Sequence, residues 1–240
     1  MYQPRTYRRW TDNDGLVSFG VVIKETDLYI RATKNLETEA LEAIVKCRTP
    51  LEEYISNHPL FLHSLVPCAV ENEAPNIVRE MARVSRITGV GPMAAVAGAI
   101  AEAVGRDLLA YSPEIIVENG GDIFAKVSQR RLIGVYASES EFTGNIALEI
   151  DPEQTPLGIC TSSGTVGHSL SLGAADAVIV LAHSAAFADA AATAIGNQVL
   201  AADSIGSLIE KVKAIENLAG VVIIKDNKMG LWGDFKLVSL

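Results

Sequence analysis

The chain has 240 residues, 49% of them apolar, and a formal net charge of −9 at pH 7. That length and apolar fraction support a large folded core and exclude a disordered chain. The acidic balance argues against nucleic acid as a partner: phosphate neutralisation draws on clustered Lys and Arg, and the one basic cluster, Arg5, Arg8 and Arg9, is too small to reverse it.

In chain order, the first ten residues, MYQPRTYRRW, contain no apolar signal-peptide region. Leu16 to Lys24 and Leu28 to Ala32 are rich in Val, Ile, Phe and Tyr and flank "ETD", which predicts a hairpin. Thr38 to Asn57 has helical periodicity, with a break expected at Pro50. Pro75 is expected to open a second helix through Arg86. Gly91-Pro92 is expected to open a third, closing at Gly105 by the usual Pro-in, Gly-past-the-end asymmetry. The apolar stretch Ile87 to Val104 is interrupted by Pro92 and Glu102 and built from Gly and Ala, so it reads as a closely packed buried helix and not a membrane span. The cysteines, Cys47, Cys68 and Cys160, are odd in number and far apart, with no CxxC pair; a reducing cytoplasm is the expected setting.

From Glu114 the pattern changes. "IIVE", "DIFAKV", "LIGVYA", "NIALEI" and "GIC" are short strand-like runs separated by polar or Gly-containing turns, and "AVIVLA" (Ala177 to Ala182) reads as a buried strand. Ala185 to Asn197 and Ser204 to Asn217 are expected as helices, then Val221 to Lys225 and Asp234 to Ser239 as strands. "VVIIKDNKMGLWG" echoes the first hairpin, but any hairpin looks similar. Helices gather in 36–105, strands in 114–182 and a mixed part in 184–240, with no low-complexity linker. The expectation is one α+β domain over 1–240.

Three stretches carry candidate chemistry. In "VENGGDIF", Glu118, Asn119, Gly120, Gly121 and Asp122 combine polar ligating groups with glycines that permit close backbone approach to a ligand; a simple hairpin turn explains them equally well. In "CTSSGTVGHS", Thr161, Ser162, Ser163, Gly164 and Thr165 offer hydroxyls and backbone N–H groups to phosphate oxygens. An ordinary polar loop is one alternative. Another is a hydrolase in which His168 activates Cys160 or Ser163, although no G-x-S-x-G elbow is present. In "FADAAATAIGN", Asp189 and Thr193 stand one helical turn apart, so both can give oxygen to a hard cation such as Mg²⁺; a dipole-placed Asp and a Thr bonded to its own backbone are the plainer alternative. The windows 115–123, 158–173 and 184–198 hold Glu118, Asp122 and Asp189 but no Lys or Arg. A phosphate-bearing ligand there would need a divalent cation or backbone amides, so the cradle and metal readings support each other.

These motifs resemble, in order, those of ApbE-type flavin transferases: a GGDI turn, a T-S-G loop followed by a His, and an A-D-A-x-x-T-A helix, with "GVGPMAAVAGAIAEAVG" in the place of that family's Gly-rich helix. The chain resembles, almost from end to end, an uncharacterised family of ApbE-like proteins sharing "FGVVIKETDLYI", "VGPMAAVAGAIAE", "VENGGDIF" and "CTSSGTVGHSLS". The resemblance implies duplicated T-fold-like halves, FAD as ligand or substrate, and Mg²⁺ as cofactor. It also implies FMN transfer to a Thr hydroxyl of an acceptor protein. By motif, Asp189, Thr193 and the Ala94 carbonyl would bind metal, Glu118 to Asp122 and Thr161 to Thr165 the nucleotide, and His168 and Asp189 would serve the chemistry. Two departures stand out. His168 is followed by "SLSLGAAD" and not by the family's Ile-Ile-Asp-Pro, and Ala95-Val96-Ala97 replaces its Lys-Gly-Tyr. FAD hydrolysis, another nucleotide substrate, or binding without turnover are therefore also implied.

Overall fold

The computed structural model describes residues 15–164 and 172–240. The first hairpin forms as expected: β1 (Val17–Ile23) pairs antiparallel with β2 (Thr26–Ala32). The first helix, α1 (Glu37–Asn57), runs straight through Pro50, contrary to the expected break. Pro50 removes one backbone bond at a cost of about 3 kcal/mol. Tertiary packing offsets it, because Ala40, Ala43, Ile44, Leu51 and Tyr54 bury one stripe on both sides of the proline. Arg48, bonded to Glu25 and Glu52, ties the same stretch to the hairpin turn.

A short α2 (Pro59–His63) precedes α3 (Asn76–Thr88), which ends on Gly89 in the left-handed conformation. A 3₁₀ turn, Pro92–Ala95, leads into α4 (Val96–Leu108). Gly105 does not end this helix as expected. It lies inside it, because the Phe124 ring packs there and a Cβ would come within 2.2 Å of it. Among the described residues no single helix is long and apolar enough to cross a membrane; α3 and α4 pass such a test only together, and are bent by 104° at the break between them.

Strands β3 (Ile115–Asn119), β4 (Asp122–Lys126), β5 (Arg131–Gly134), β6 (Ile146–Ile150), β7 (Leu157–Ser162) and β8 (Ala177–Ala182) follow. Then come α5 (Ala185–Gly196), α6 (Ile205–Val212), β9 (Leu218–Lys225), β10 (Lys228–Gly233) and β11 (Lys236–Ser239). The last predicted helix is shorter than Ser204 to Asn217: a 3₁₀ turn occupies Ala202–Ser204, and the chain leaves the helix after Val212 to start β9 early.

Among the described residues, eight strands form one antiparallel sheet in the order β1-β2-β3-β4-β7-β8-β9-β10, and β11-β6-β5 form a second. The long sheet is two copies of one plan. A hairpin, helices and a second hairpin (β1–β2, α1 to α4, β3–β4) are followed by the same sequence (β7–β8, α5 and α6, β9–β10), and β4 joins β7 in the middle. The fold is therefore α+β with duplicated halves, as expected. Alternation along each strand divides the core between two faces. Val117, Phe124, Cys160, Val180 and Ile223 pack under the helices. Ile116, Ala125, Ile159, Ile179 and Val222 pack under the small sheet.

Candidate functional site

The site grows from α5. Its alanines and two facing glycines let it lie unusually close to its neighbours: a Cβ on Gly158 of β7 would come 2.4 Å from the Ala185 Cα, and one on Gly98 of α4 would come 2.3 Å from the Ala185 oxygen. Of the 12 residues in α5, all are buried except Asp189, Thr193 and Ala194. The two oxygen-bearing residues singled out in the sequence are thus two of the three residues of this helix that are not fully buried.

Asp189 faces the start of α4. Its Oδ2 accepts the Gly98 N–H at 2.9 Å, and the Ala97 N–H also bonds to the carboxylate. The helix α4 begins only at Val96, so Gly98 N–H makes no α-helical bond back to the Ala94 carbonyl; its proton goes to Asp189 instead. Ala94 is half-exposed and sits in the 3₁₀ turn that packs on α5. From the other side, Asn119 Nδ2 donates to the Ala97 carbonyl at 3.1 Å and fixes the same turn.

The glycine pair forms a two-residue hairpin turn between β3 and β4, with φ of 70° at Gly120 and 109° at Gly121, and Asn119 opposite Asp122. The hairpin reading holds, and the turn also delivers two buried polar side chains, Asn119 and Asp122, to the helix side. Strand alternation puts Glu118 on the opposite, small-sheet face, so the structure does not bring it alongside Asn119.

Thr161 and Ser162 correct the loop expectation: both belong to β7, opposite Ile179 and Val178 of β8, and Ser162 is buried. The Leu-Gly-Ile-Cys run simply carries on as strand for two more residues, whose hydroxyls compete little with a ladder. The Thr161 N–H is taken by Asp122 Oδ1 at 3.2 Å. Ser163 and Gly164 follow the strand, and Gly164 N–H bonds the Ala175 carbonyl at 2.9 Å. Thr165 and His168 lie outside the described residues.

The electrostatics are one-sided. Burial pushes the Asp122 carboxyl up to about 7, with a smaller push from Glu118, against the hydrogen bond from the Thr161 N–H. Burial and the charge of Asp122 push Asp189 well above the usual carboxylate range, although Gly98 and Ala97 donate to it. Two arginines stand near the start of α5, but both are committed: Arg83 to Glu80 at 2.7 Å, and Arg106 to Glu102 at 2.7 Å. Adjacent carboxylates that repel each other are what a hard cation would relieve. Among the described residues no three His, Cys, Asp or Glu side chains converge as a ligand set.

The hydrolase reading fails at Cys160. Its side chain is buried, its thiol donates to the Ala185 carbonyl at 3.3 Å, and burial with the nearby Asp122 and Asp189 charges pushes it well above the ordinary thiol value. A nucleophilic cysteine requires the opposite environment.

Sequence reasoning missed Glu102. Its Oε2 accepts the Ala185 N–H at 2.7 Å, capping α5 from 83 positions upstream. The sequence signal was its isolation in an Ala/Gly helix.

Comparison with known proteins places the fold. Residues 8–218 match the model of the family described as AbpE bacteria. The UPF0280 protein of Methanocaldococcus jannaschii is 44% identical over 219 residues, 89% of each chain. That of Methanopyrus kandleri is 40% identical over 233 residues, 94% of each. Among solved structures, the flavin transferase ApbE from Vibrio cholerae matches with a TM-score of 0.59 at 15% identity, over 95% of this chain and 97% of that one. The apo form of Pseudomonas stutzeri flavinyl transferase ApbE matches with a TM-score of 0.58 at 13% identity, over 95% of both. At such identities the likeness shows the fold alone, which is ApbE-like. With its family model spanning most of its length, the chain belongs to the AbpE bacteria family, an ApbE-like family.

Proposed function

We propose that this protein binds FAD or a related nucleotide together with Mg²⁺, and that the site lies where α5, the 3₁₀ turn at Ala94 and the β3–β4 turn meet. The observation that supports it most is the pairing of Asp189 with Gly98 N–H near the Asp122 carboxylate, in stretches of sequence (115–123, 158–173 and 184–198) that hold no Lys or Arg. Asp189, Thr193 and the Ala94 carbonyl would hold the cation. Asn119, Gly120, Gly121 and Asp122, with Ser163, Gly164 and the end of β7 (Thr161, Ser162), would shape the nucleotide site, while Glu118, on the opposite face of the sheet, would not line it; Thr165 and His168 belong to the same proposal. When bound, Mg²⁺ supplies charge neutralisation at the pyrophosphate. The chain's own part is to orient the Asp189 carboxylate through two backbone N–H bonds, which offset part of the burial that favours its protonated form, and to hold the turn rigid through Asn119.

The structural neighbours are flavin transferases by name, which favours phosphoryl transfer: an acceptor oxygen would bond to the FMN phosphorus as the bond from that phosphorus to the bridging oxygen breaks, the bridging oxygen leaving on AMP and the hydroxyl proton passing to AMP or solvent. An acceptor protein would supply the hydroxyl; water in its place would give FMN and AMP. A second reading, a non-catalytic nucleotide-binding module, is favoured by Ala95-Val96-Ala97, which puts no Lys beside the site.

FAD affinity measured with and without Mg²⁺, in the native chain and in Asp189→Ala, tests the binding. Mg²⁺ should strengthen binding in the native chain only; indifference to both metal and substitution overturns the site. Chromatography for FMN and AMP after incubation separates the two readings, turnover above the Asp189→Ala background removing the module.

A further inference from the structure

We infer that Glu102 is a positioning residue that sets where Asp189 stands, because α4 and α5 hold each other by exchanging carboxylates. The inference rests on the reading of Asp189 as the cation ligand. Helix starts leave N–H groups without intrahelical partners. At the start of α5 all three first-turn groups are served. Glu102 Oε2 accepts from Ala185 N–H at 2.7 Å and from Ala186 N–H at 3.4 Å, and the Ser184 hydroxyl accepts from Phe187 N–H at 3.3 Å. The Ser184 hydroxyl in turn donates to Glu102 Oε2 at 3.1 Å. At the start of α4 the roles reverse, with Asp189 of α5 accepting from Gly98 and Ala97. Each helix thus lends a carboxylate to the other's positive end, where charge-assisted bonds are strongest.

The two grips lie about one helical turn apart along α5, at Ala185 and Asp189, and Gly98 sits between them against the Ala185 oxygen. Two anchor points fix both the height and the rotation of α5 on α4; one alone would leave a hinge. Arg106 occupies Oε1 of Glu102 at 2.7 and 2.9 Å, which leaves Oε2 turned to the helix. Removing the Glu102 carboxylate should therefore loosen the Asp189–Gly98 contact, although Glu102 touches neither residue's bond.

Amide hydrogen exchange at Gly98, with Ile223 in β9 as a distant reference, reads that coupling directly. Glu102→Ala should speed exchange at Gly98 relative to Ile223, and Glu102→Gln, which keeps a neutral acceptor, should speed it less. If Glu102→Ala does not fold, the Gln variant alone decides, by a rise at Gly98 over the native chain. Titration with Mg²⁺ alone should show a loss of affinity of about 10–100-fold in Glu102→Ala, the usual cost of removing a supporting contact behind a metal ligand. Unchanged relative exchange at Gly98 in the folded variants overturns the inference. Should the native chain itself bind no Mg²⁺, the cation reading fails separately and the exchange comparison still decides the role of Glu102.

Discussion

Replacing Gly98 by alanine adds one methyl group at the tightest point between α4 and α5. The new Cβ would stand 2.3 Å from the Ala185 oxygen and 2.9 Å from the Asp189 Cβ. Ordinary contact begins near 3.4 Å, so the helices must part by about 1 Å, and the main obstacle is backbone that cannot rotate away. Such overpacking costs about 1–3 kcal/mol, and the upper end applies here. Alanine returns about 1 kcal/mol through its better helix propensity. The net loss is about 2 kcal/mol, or about 4–8 °C in melting temperature for a chain of this size. Gly206 in α6 is the matched control, since its Cβ would meet nothing within 4 Å; Gly206→Ala should be neutral or stabilising by up to about 1 kcal/mol. Calorimetry of both variants, with an FAD titration in Mg²⁺, should show Gly98→Ala less stable and weaker in binding. Equal behaviour of the two variants would refute the close-approach account.

Arg131 and Glu114 form a buried ion pair, both side chains almost fully enclosed. Burial alone would raise Glu114, but its bonds from Arg131 and Ser128 outweigh that and hold it low. Arg131→Met should cost about 3–5 kcal/mol in urea unfolding, and adding Glu114→Leu should recover most of it; a single-variant loss under about 1 kcal/mol contradicts this. Asp122 has a folded-state value of about 7 against 3.8, so between those pH values the folded chain holds more protons than the unfolded one. Its contribution is therefore favourable at low pH and lost as pH rises through about 4 to 7. In chelator, the melting temperature of Asp122→Asn relative to the native chain should rise from pH 5 to pH 8; a constant difference rules the burial effect out. Cys160 should resist thiol reagents at pH 7 while the less buried Cys68 reacts, and fast labelling of Cys160 would restore the discarded nucleophile.

The local features of the fold were legible. Paired glycines between β-rich runs announced the β3–β4 turn, and the i, i+4 spacing of Asp189 and Thr193 put them on one face of α5. What could not be read was decided by tertiary packing. Pro50 stays helical because residues on both sides of it are buried, and Gly105 is a seat for Phe124 and not a helix stop. The small sheet pairs β6 with β11, about 90 residues later, a match no local pattern encodes. The same holds within the site: Glu102 reaches Ala185, Asp189 reaches Gly98 and Asn119 reaches Ala97, all contacts between distant segments. Alternation in β3 separates Glu118 from Asn119, a consequence the motif "ENGGD" contains but a motif search ignores.

The account depends most on a hard cation beside Asp189. Crystals grown with FAD and Mn²⁺ in place of Mg²⁺ would locate it by anomalous scattering. The account predicts a peak about 2.1 Å from an Asp189 carboxylate oxygen, with Thr193 and the Ala94 carbonyl beside it, absent in Asp189→Ala. A nucleotide bound without such a peak, or a peak only at a distant carboxylate cluster, would contradict it.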